Sequence, residues 1–205
     1  VGLAYYLKFD LRTTFSLRAP SVISIVSAIL FVIGILMASG TLVYYQNQFF
    51  PMPQKALEAL EKLMRATSEH PFPVVLLLVA VLPAICEELA FRGFVLSGLL
   101  KRTKPLAAMI ATAAFFAAFH LSLYRFVPTF LIGLAASFLV WRSRSIFTGM
   151  LLHFLNNGSV AFLNNYPQYD VLGLEQLKPS FPMFFGGLVC VFLGWFISYR
   201  EVSKE

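Results

Sequence analysis

The stretch Phe72 to Leu100, FPVVLLLVAVLPAICEELAFRGFVLSGLL, is apolar enough and long enough to cross a bilayer, yet it carries Glu87 and Glu88 side by side near its middle. A spanning helix needs about 20 apolar residues at 1.5 Å rise each. A carboxylate at that depth costs about 3 kcal/mol or more unless it is paired or put to use. The doublet therefore decides two things together: this is a membrane helix, and it is a membrane helix with chemistry in it.

Working outward, similar apolar runs occur at Val22 to Tyr45, Leu106 to Tyr124, Val127 to Trp141, Ile146 to Phe162 and Pro182 to Tyr199. The chain of 205 residues is 59% hydrophobic and only 13% charged, with a mean hydropathy of +0.76, against about 25% charged residues in soluble domains. Between the first two runs, Pro53 to His70 places Leu57, Leu60 and Met64 on one helical face among Lys55, Glu58, Glu61, Lys62, Arg65 and Glu69, the pattern of an amphipathic helix lying in the interface. Leu163 to Ser180 collects Asn164, Asn165, Pro167, Asp170, Gly173 and Pro179, residues that favour turns, and reads as a surface loop. The expected fold is all-α: a single polytopic helical bundle over residues 1–205, with about six transmembrane helices and one amphipathic interfacial helix.

The net charge of +6 resides in short clusters between apolar runs, as membrane-flanking anchors do, and not along one face, so no nucleic-acid function is read from it. Ten basic residues fall on one set of helix ends (Lys8, Arg12, Arg18, Lys101, Arg102, Lys104, Arg142, Arg144, Arg200, Lys204) and five on the other (Lys55, Lys62, Arg65, Arg125, Lys178), which predicts an integral membrane protein with both termini cytoplasmic. Cys86 and Cys190 both lie in apolar runs, where a thiol behaves as a small hydrophobe.

Chemistry concentrates in three segments. In Cys86-Glu-Glu-Leu-Ala-Phe-Arg-Gly93, Glu88 and Arg92 are four apart, acid first, the favoured order for a helical ion pair. Glu87 points about 100° away and is left less directly neutralised, open to service as a general base. Phe115-Phe-Ala-Ala-Phe-His120 puts an imidazole behind small residues that permit close helix approach. Leu152-His-Phe-Leu-Asn-Asn157 puts His153 and Asn157 on one face, Asn156 being a quarter-turn off. Counted from the basic edge at 1.5 Å per residue, Glu87 and His120 both lie about 21 to 23 Å deep, His153 about 12 Å and Asn157 about 18 Å, close enough to meet with helix tilt.

A carboxylate with an imidazole can deprotonate water, while a second imidazole and an amide can hold an oxyanion: together they suffice for hydrolysis of a peptide bond. Glu87, His120 and His153 are also zinc-ligand types, so water activated by a divalent metal such as zinc uses the same side chains. The residues leave both open. No His-Glu-x-x-His occurs, Ser97-Gly98 lacks the first glycine of a Gly-x-Ser-Gly loop, and the only aspartates, Asp10 and Asp170, lie outside the apolar runs. Three other uses fit the same residue types: a polar knot that only fixes packing, a non-catalytic binding or immunity protein or permease accessory, and an ion-coupled transporter. A decayed site would have lost one of Glu87, His120, His153 or Asn157, and all four are present; the lack of an inverted repeat weighs against the transporter.

The motifs Glu87-Glu88-x-x-x-Arg92, Phe116-x-x-x-His120 and His153-x-x-x-Asn157, in this order on successive apolar segments, resemble the CPBP intramembrane protease family, also called the CAAX protease and bacteriocin-processing or Abi family, over about residues 72–165. The resemblance implies a glutamate-dependent, Rce1-like endopeptidase, with members often labelled metalloproteases. On it, Glu87 with His120 activates water, His153 and Asn157 form the oxyanion site, Glu88 with Arg92 supports Glu87, and Phe116 lines the cavity. The implied partners are a peptide or protein substrate and membrane lipid, in a bacterial inner membrane. Phe15-Ser-Leu-Arg-Ala-Pro20 and residues 53–93 also resemble bacterial chains in which such a domain follows an ABC-type permease. With Val1 in place of an initiator Met, the C-terminal part of a permease fusion is expected.

Overall fold

The computed structural model describes residues 10–169 and 179–202, and every regular element among them is helical. In chain order these are α1 (Leu11–Thr14), α2 (Val22–Phe49), α3 (Gln54–Ser68), α4 (Phe72–Leu100), α5 (Pro105–Phe119), α6 (Leu123–Ser143), α7 (Ile146–Asn165) and α8 (Phe181–Val202). Five of them, α2, α4, α6, α7 and α8, are long and apolar enough to cross a membrane. The sixth apolar run forms α5, whose 15 residues reach only about 22 Å. Expected to continue to Tyr124, α5 stops at Phe119 because Leu121 takes a left-handed backbone, φ 49°, and turns the chain.

The following helix starts at Leu123, earlier than the expected Val127, and carries Pro128 inside it. Proline has no N–H for the carbonyl four residues back, here that of Tyr124. The side chain of Gln46 on α2 supplies a donor instead: its Nε2 lies 2.8 Å from Tyr124 O and 3.2 Å from Leu123 O. With that carbonyl satisfied, the helix keeps its first turns despite the proline.

Helix α4 alternates between α and wider π turns. Leu77–Val81 and Leu89–Leu96 are π-helical, and the segment Leu82–Glu88 that bears the glutamates lies between them. The core sits where α2, α6 and α7 meet, with Ala28, Phe31, Val32, Ile35, Ala135, Ala136, Leu139 and Leu152 buried together. Lipid offers no hydrophobic drive between helices, so small residues that let backbones approach do the work. Between α2 and α8, a Cβ on Gly34 would lie 2.5 Å from the carbonyl oxygen of Gly187. Leu78, Phe115 and Phe192 stay exposed, as lipid-facing side chains do.

Helix α3 matches the expected amphipathic helix, with Leu57 and Met64 exposed on its apolar side. Asn164 near the end of α7 ties it to the bundle through Met64 O at 3.2 Å and Thr67 Oγ1 at 3.3 Å. The loop expected from Leu163 begins later, since α7 runs to Asn165 and a 3₁₀ turn follows at Pro167–Tyr169. Residues 170–178 of that loop, like residues 1–9 before α1, lie outside the described residues.

Candidate active site

The site grows from the contact between α4 and α7. Gly149, His153 and Asn157 repeat every four residues and so share one face of α7. Each meets α4. A Cβ on Gly149 would lie 2.6 Å from Glu88 Oε2, so glycine here is what lets the carboxylate press against the helix. One turn on, His153 Nδ1 lies 3.0 Å from Glu88 Oε1. A further turn on, Asn157 Nδ2 donates to Val79 O at 3.1 Å. Pro83 explains the last contact: it has no N–H to offer the carbonyl of Val79, and the asparagine amide supplies one.

Glu88 and Arg92 form the i,i+4 pair that their spacing predicts, Nη1 to Oε1 at 2.7 Å, with both side chains buried. Arg92 Nη2 donates 2.9 Å to Gly133 O on α6, and the guanidinium carbon sits 4.6 Å from the centre of the Phe116 ring. A buried charge pair survives in hydrocarbon only with such added hydrogen bonds. The pair thus joins α4 to α6 and, through His153, to α7.

Glu87 differs. Its side chain is 26% exposed against 1% for Glu88, and its Oε2, which like Glu88 Oε2 is buried without a hydrogen-bond partner, lies 3.9 Å from His153 Nε2. The imidazole is therefore held between two carboxylates, hydrogen-bonded to one and facing the other. An ionised Glu88 can only accept, so Nδ1 carries a hydrogen and Nε2 is the atom presented toward Glu87.

His120 lies at the C-terminal end of α5, its Nδ1 2.8 Å from Phe116 O. A backbone carbonyl only accepts, so Nδ1 again carries the hydrogen and Nε2 of the neutral ring keeps a lone pair. Phe116 is buried between the two histidines, ring centres 4.9 Å from His120 and 5.6 Å from His153, both edge-on. The expected residues thus fall into one contiguous set through Phe116, Glu88 and His153, with Asn157 one turn further along α7.

Three contributors escaped sequence reading. Gly149 and Gly133 are the close-approach points, the latter because a Cβ there would meet Phe116 at 3.1 Å and Ala113 at 3.2 Å. Asn156, set aside as the lesser asparagine, donates Nδ2 to Asn157 Oδ1 at 3.1 Å and so turns that amide. The four-residue spacing Gly149-x-x-x-His153 was the available signal for the first. Among the described residues no three His, Cys, Asp or Glu side chains are gathered to hold a metal ion, and Nδ1 of each of these histidines is already engaged.

Residues 69–159 match the family model described as type II CAAX prenyl endopeptidase Rce1-like. The chain carries an Rce1-like domain. Every residue of the three motifs, Glu87 through Asn157, falls inside that match, whereas α2 and α8 lie outside it. The long apolar helices and the Rce1-like match make this an integral membrane protein whose residues 69–159 are similar to a CAAX-type prenyl endopeptidase. No curated protein and no solved structure matched the chain.

Proposed function

We propose that this protein is a membrane-embedded endopeptidase in which Glu87 activates the attacking water. What supports it above all is the contrast within the doublet: Glu88 is held by Arg92 and His153 with its side chain 1% exposed, while Glu87 is 26% exposed and faces an imidazole nitrogen at 3.9 Å.

Glu87 takes one proton from a water molecule as the water oxygen attacks the carbonyl carbon of the peptide bond. His120 Nε2, free as an acceptor, holds the other hydrogen and orients the water. The carbonyl oxygen becomes an oxyanion, stabilised by a proton carried on His153 Nε2 and by the second N–H of Asn157, whose first is given to Val79 O. Glu87 then passes its proton to the leaving nitrogen as the C–N bond breaks, releasing a carboxylic acid and an amine. Glu88 and Arg92 position His153 without touching substrate.

On the same reading the substrate is a peptide or protein reaching the site from the surrounding lipid. The membrane is a bacterial inner membrane with both termini cytoplasmic, supported by the uneven basic residues at the helix ends, and an ABC-type permease module is the partner. The test is release of the C-terminal tripeptide from a farnesylated peptide ending in a CAAX sequence, and from its unprenylated twin, by protein reconstituted in vesicles and followed by mass spectrometry. The native chain is expected to cut at least one of them, and Glu87→Ala to be slower by at least about a hundredfold. Equal cleavage by the variant, or no cleavage of either peptide by the native chain, overturns the proposal.

A further inference from the structure

Arg92 also lines a cavity to which Glu88 does not contribute. It encloses about 370 Å³ and is walled by Ser16, Arg92, Ser97, Trp141, Arg142 and Arg144, with apolar side chains between them. That volume falls within the range of small-molecule sites. Three of its wall residues are arginines, and among the described residues no carboxylate lines it.

The donors are not all spent. Arg92 gives Nη1 to Glu88 and Nη2 to Gly133 O, which leaves Nε buried without a partner. Arg142 gives Nη2 to the carbonyls of Tyr199 at 2.5 Å and Ser198 at 3.4 Å, groups without net charge, and its Nε is likewise buried and unpartnered. Arg144 is exposed and has no hydrogen-bond or ion-pair partner among the described residues. Guanidinium groups in such a fork match the tetrahedral oxygens of a phosphate.

The backbone is bent to make this wall. Ser16 at φ 51° and Arg144 at φ 52° are two of the three non-glycine residues in left-handed conformation among those described. Each costs of order 1 kcal/mol, and such residues gather at ligand clamps. They are pinned by Ile146 N donating to Ser16 O at 3.0 Å and by Ser145 Oγ donating to Arg18 O at 2.6 Å. The cavity sits at the end of α4 and α6 that Lys101, Arg102 and Lys104 follow in sequence, and Trp141, of a residue type enriched at the headgroup level of membranes, is part of its wall.

We propose that this cavity binds a phosphate-bearing anion, either the headgroup of an anionic lipid or a free phosphate. Because Arg92 forms a wall of the cavity and also holds Glu88, the occupant touches the same guanidinium that positions the candidate active site from behind.

The probes are dihexanoyl-phosphatidylglycerol, dihexanoyl-phosphatidylcholine and inorganic phosphate, titrated against the purified full chain in neutral detergent with the melting midpoint as readout. The glycerol lipid is expected to raise the midpoint in a saturable way, and Arg144→Gln to weaken its half-saturation about tenfold. Leu100→Trp, which fills the cavity from its apolar wall, is expected to abolish the response while still melting cooperatively without ligand. A response to inorganic phosphate as well supports the proposal with free anion as a source; a response to the anionic lipid alone supports it with the headgroup as the source. No response, an equal response to the choline lipid, or an undiminished response in both variants overturns it.

Discussion

Two helices of this bundle, α4 and α6, are each interrupted by a proline, and each break is sealed in the same way. Behind Pro128, the Tyr124 carbonyl takes a hydrogen bond from Gln46 on α2; behind Pro83, the Val79 carbonyl takes one from Asn157 on α7. In lipid an unsatisfied carbonyl has no water to turn to, so a neighbouring amide is the available remedy. The difference lies in what else the amide touches. Gln46 stands apart from the motif residues, whereas Asn157 lies on the same helical stripe as His153 and keeps a second N–H to spend. One seal is scaffold alone; the other doubles as part of a site.

The largest effect that separates the two regions comes from Arg92→Leu. It strands Glu88 in hydrocarbon without its counterion and is expected to cost about 3–5 kcal/mol, seen as a large fall in melting midpoint together with loss of cleavage. Gly149→Ala comes next. The added methyl meets Glu88 Oε2 at 2.6 Å and Val140 Cγ2 at 2.8 Å, so a cost of about 1–3 kcal/mol and a displaced His153 are expected, whereas Gly40→Ala, whose Cβ meets nothing within 4 Å, is expected to leave midpoint and turnover unchanged.

The seals themselves make the sharper contrast. Asn157→Leu and Gln46→Leu are each expected to lose about 0.5–1.5 kcal/mol, the ordinary value of an interhelical hydrogen bond, yet only the former should lower kcat. Equal kinetic effects would erase the distinction. The smallest effect is a rescue: Pro128→Ala restores an N–H to Tyr124 O, so Gln46→Leu made in that background should cost less than in the native chain, by about 0.5 kcal/mol in a double-mutant cycle.

The apolar runs, the ion pair four residues apart and the shared face of His153 and Asn157 were legible because helical periodicity and bilayer thickness leave few alternatives. The shortness of α5 was not, because Leu121 carries no glycine or proline signal for its left-handed turn. Nor were the π turns on either side of Glu87 and Glu88, which leave no periodic trace in the sequence. The reach of α6 back past Pro128 depends on a glutamine 82 positions earlier, a tertiary fact that overrides a local stop signal. The partition of the two glutamates was half visible: spacing assigned Glu88 to Arg92, but only the fold puts His153 Nδ1 on Glu88 and its Nε2 toward Glu87.

That partition is tested most directly by measuring kcat/KM and melting midpoint together for Glu87→Gln and Glu88→Gln. Glu87→Gln is expected to lose at least about a hundredfold in kcat/KM with its midpoint unchanged, while Glu88→Gln loses both, since its charge holds Arg92 and His153 in place. A Glu87→Gln protein that turns over like the native chain would contradict the assignment of the water-activating role to Glu87.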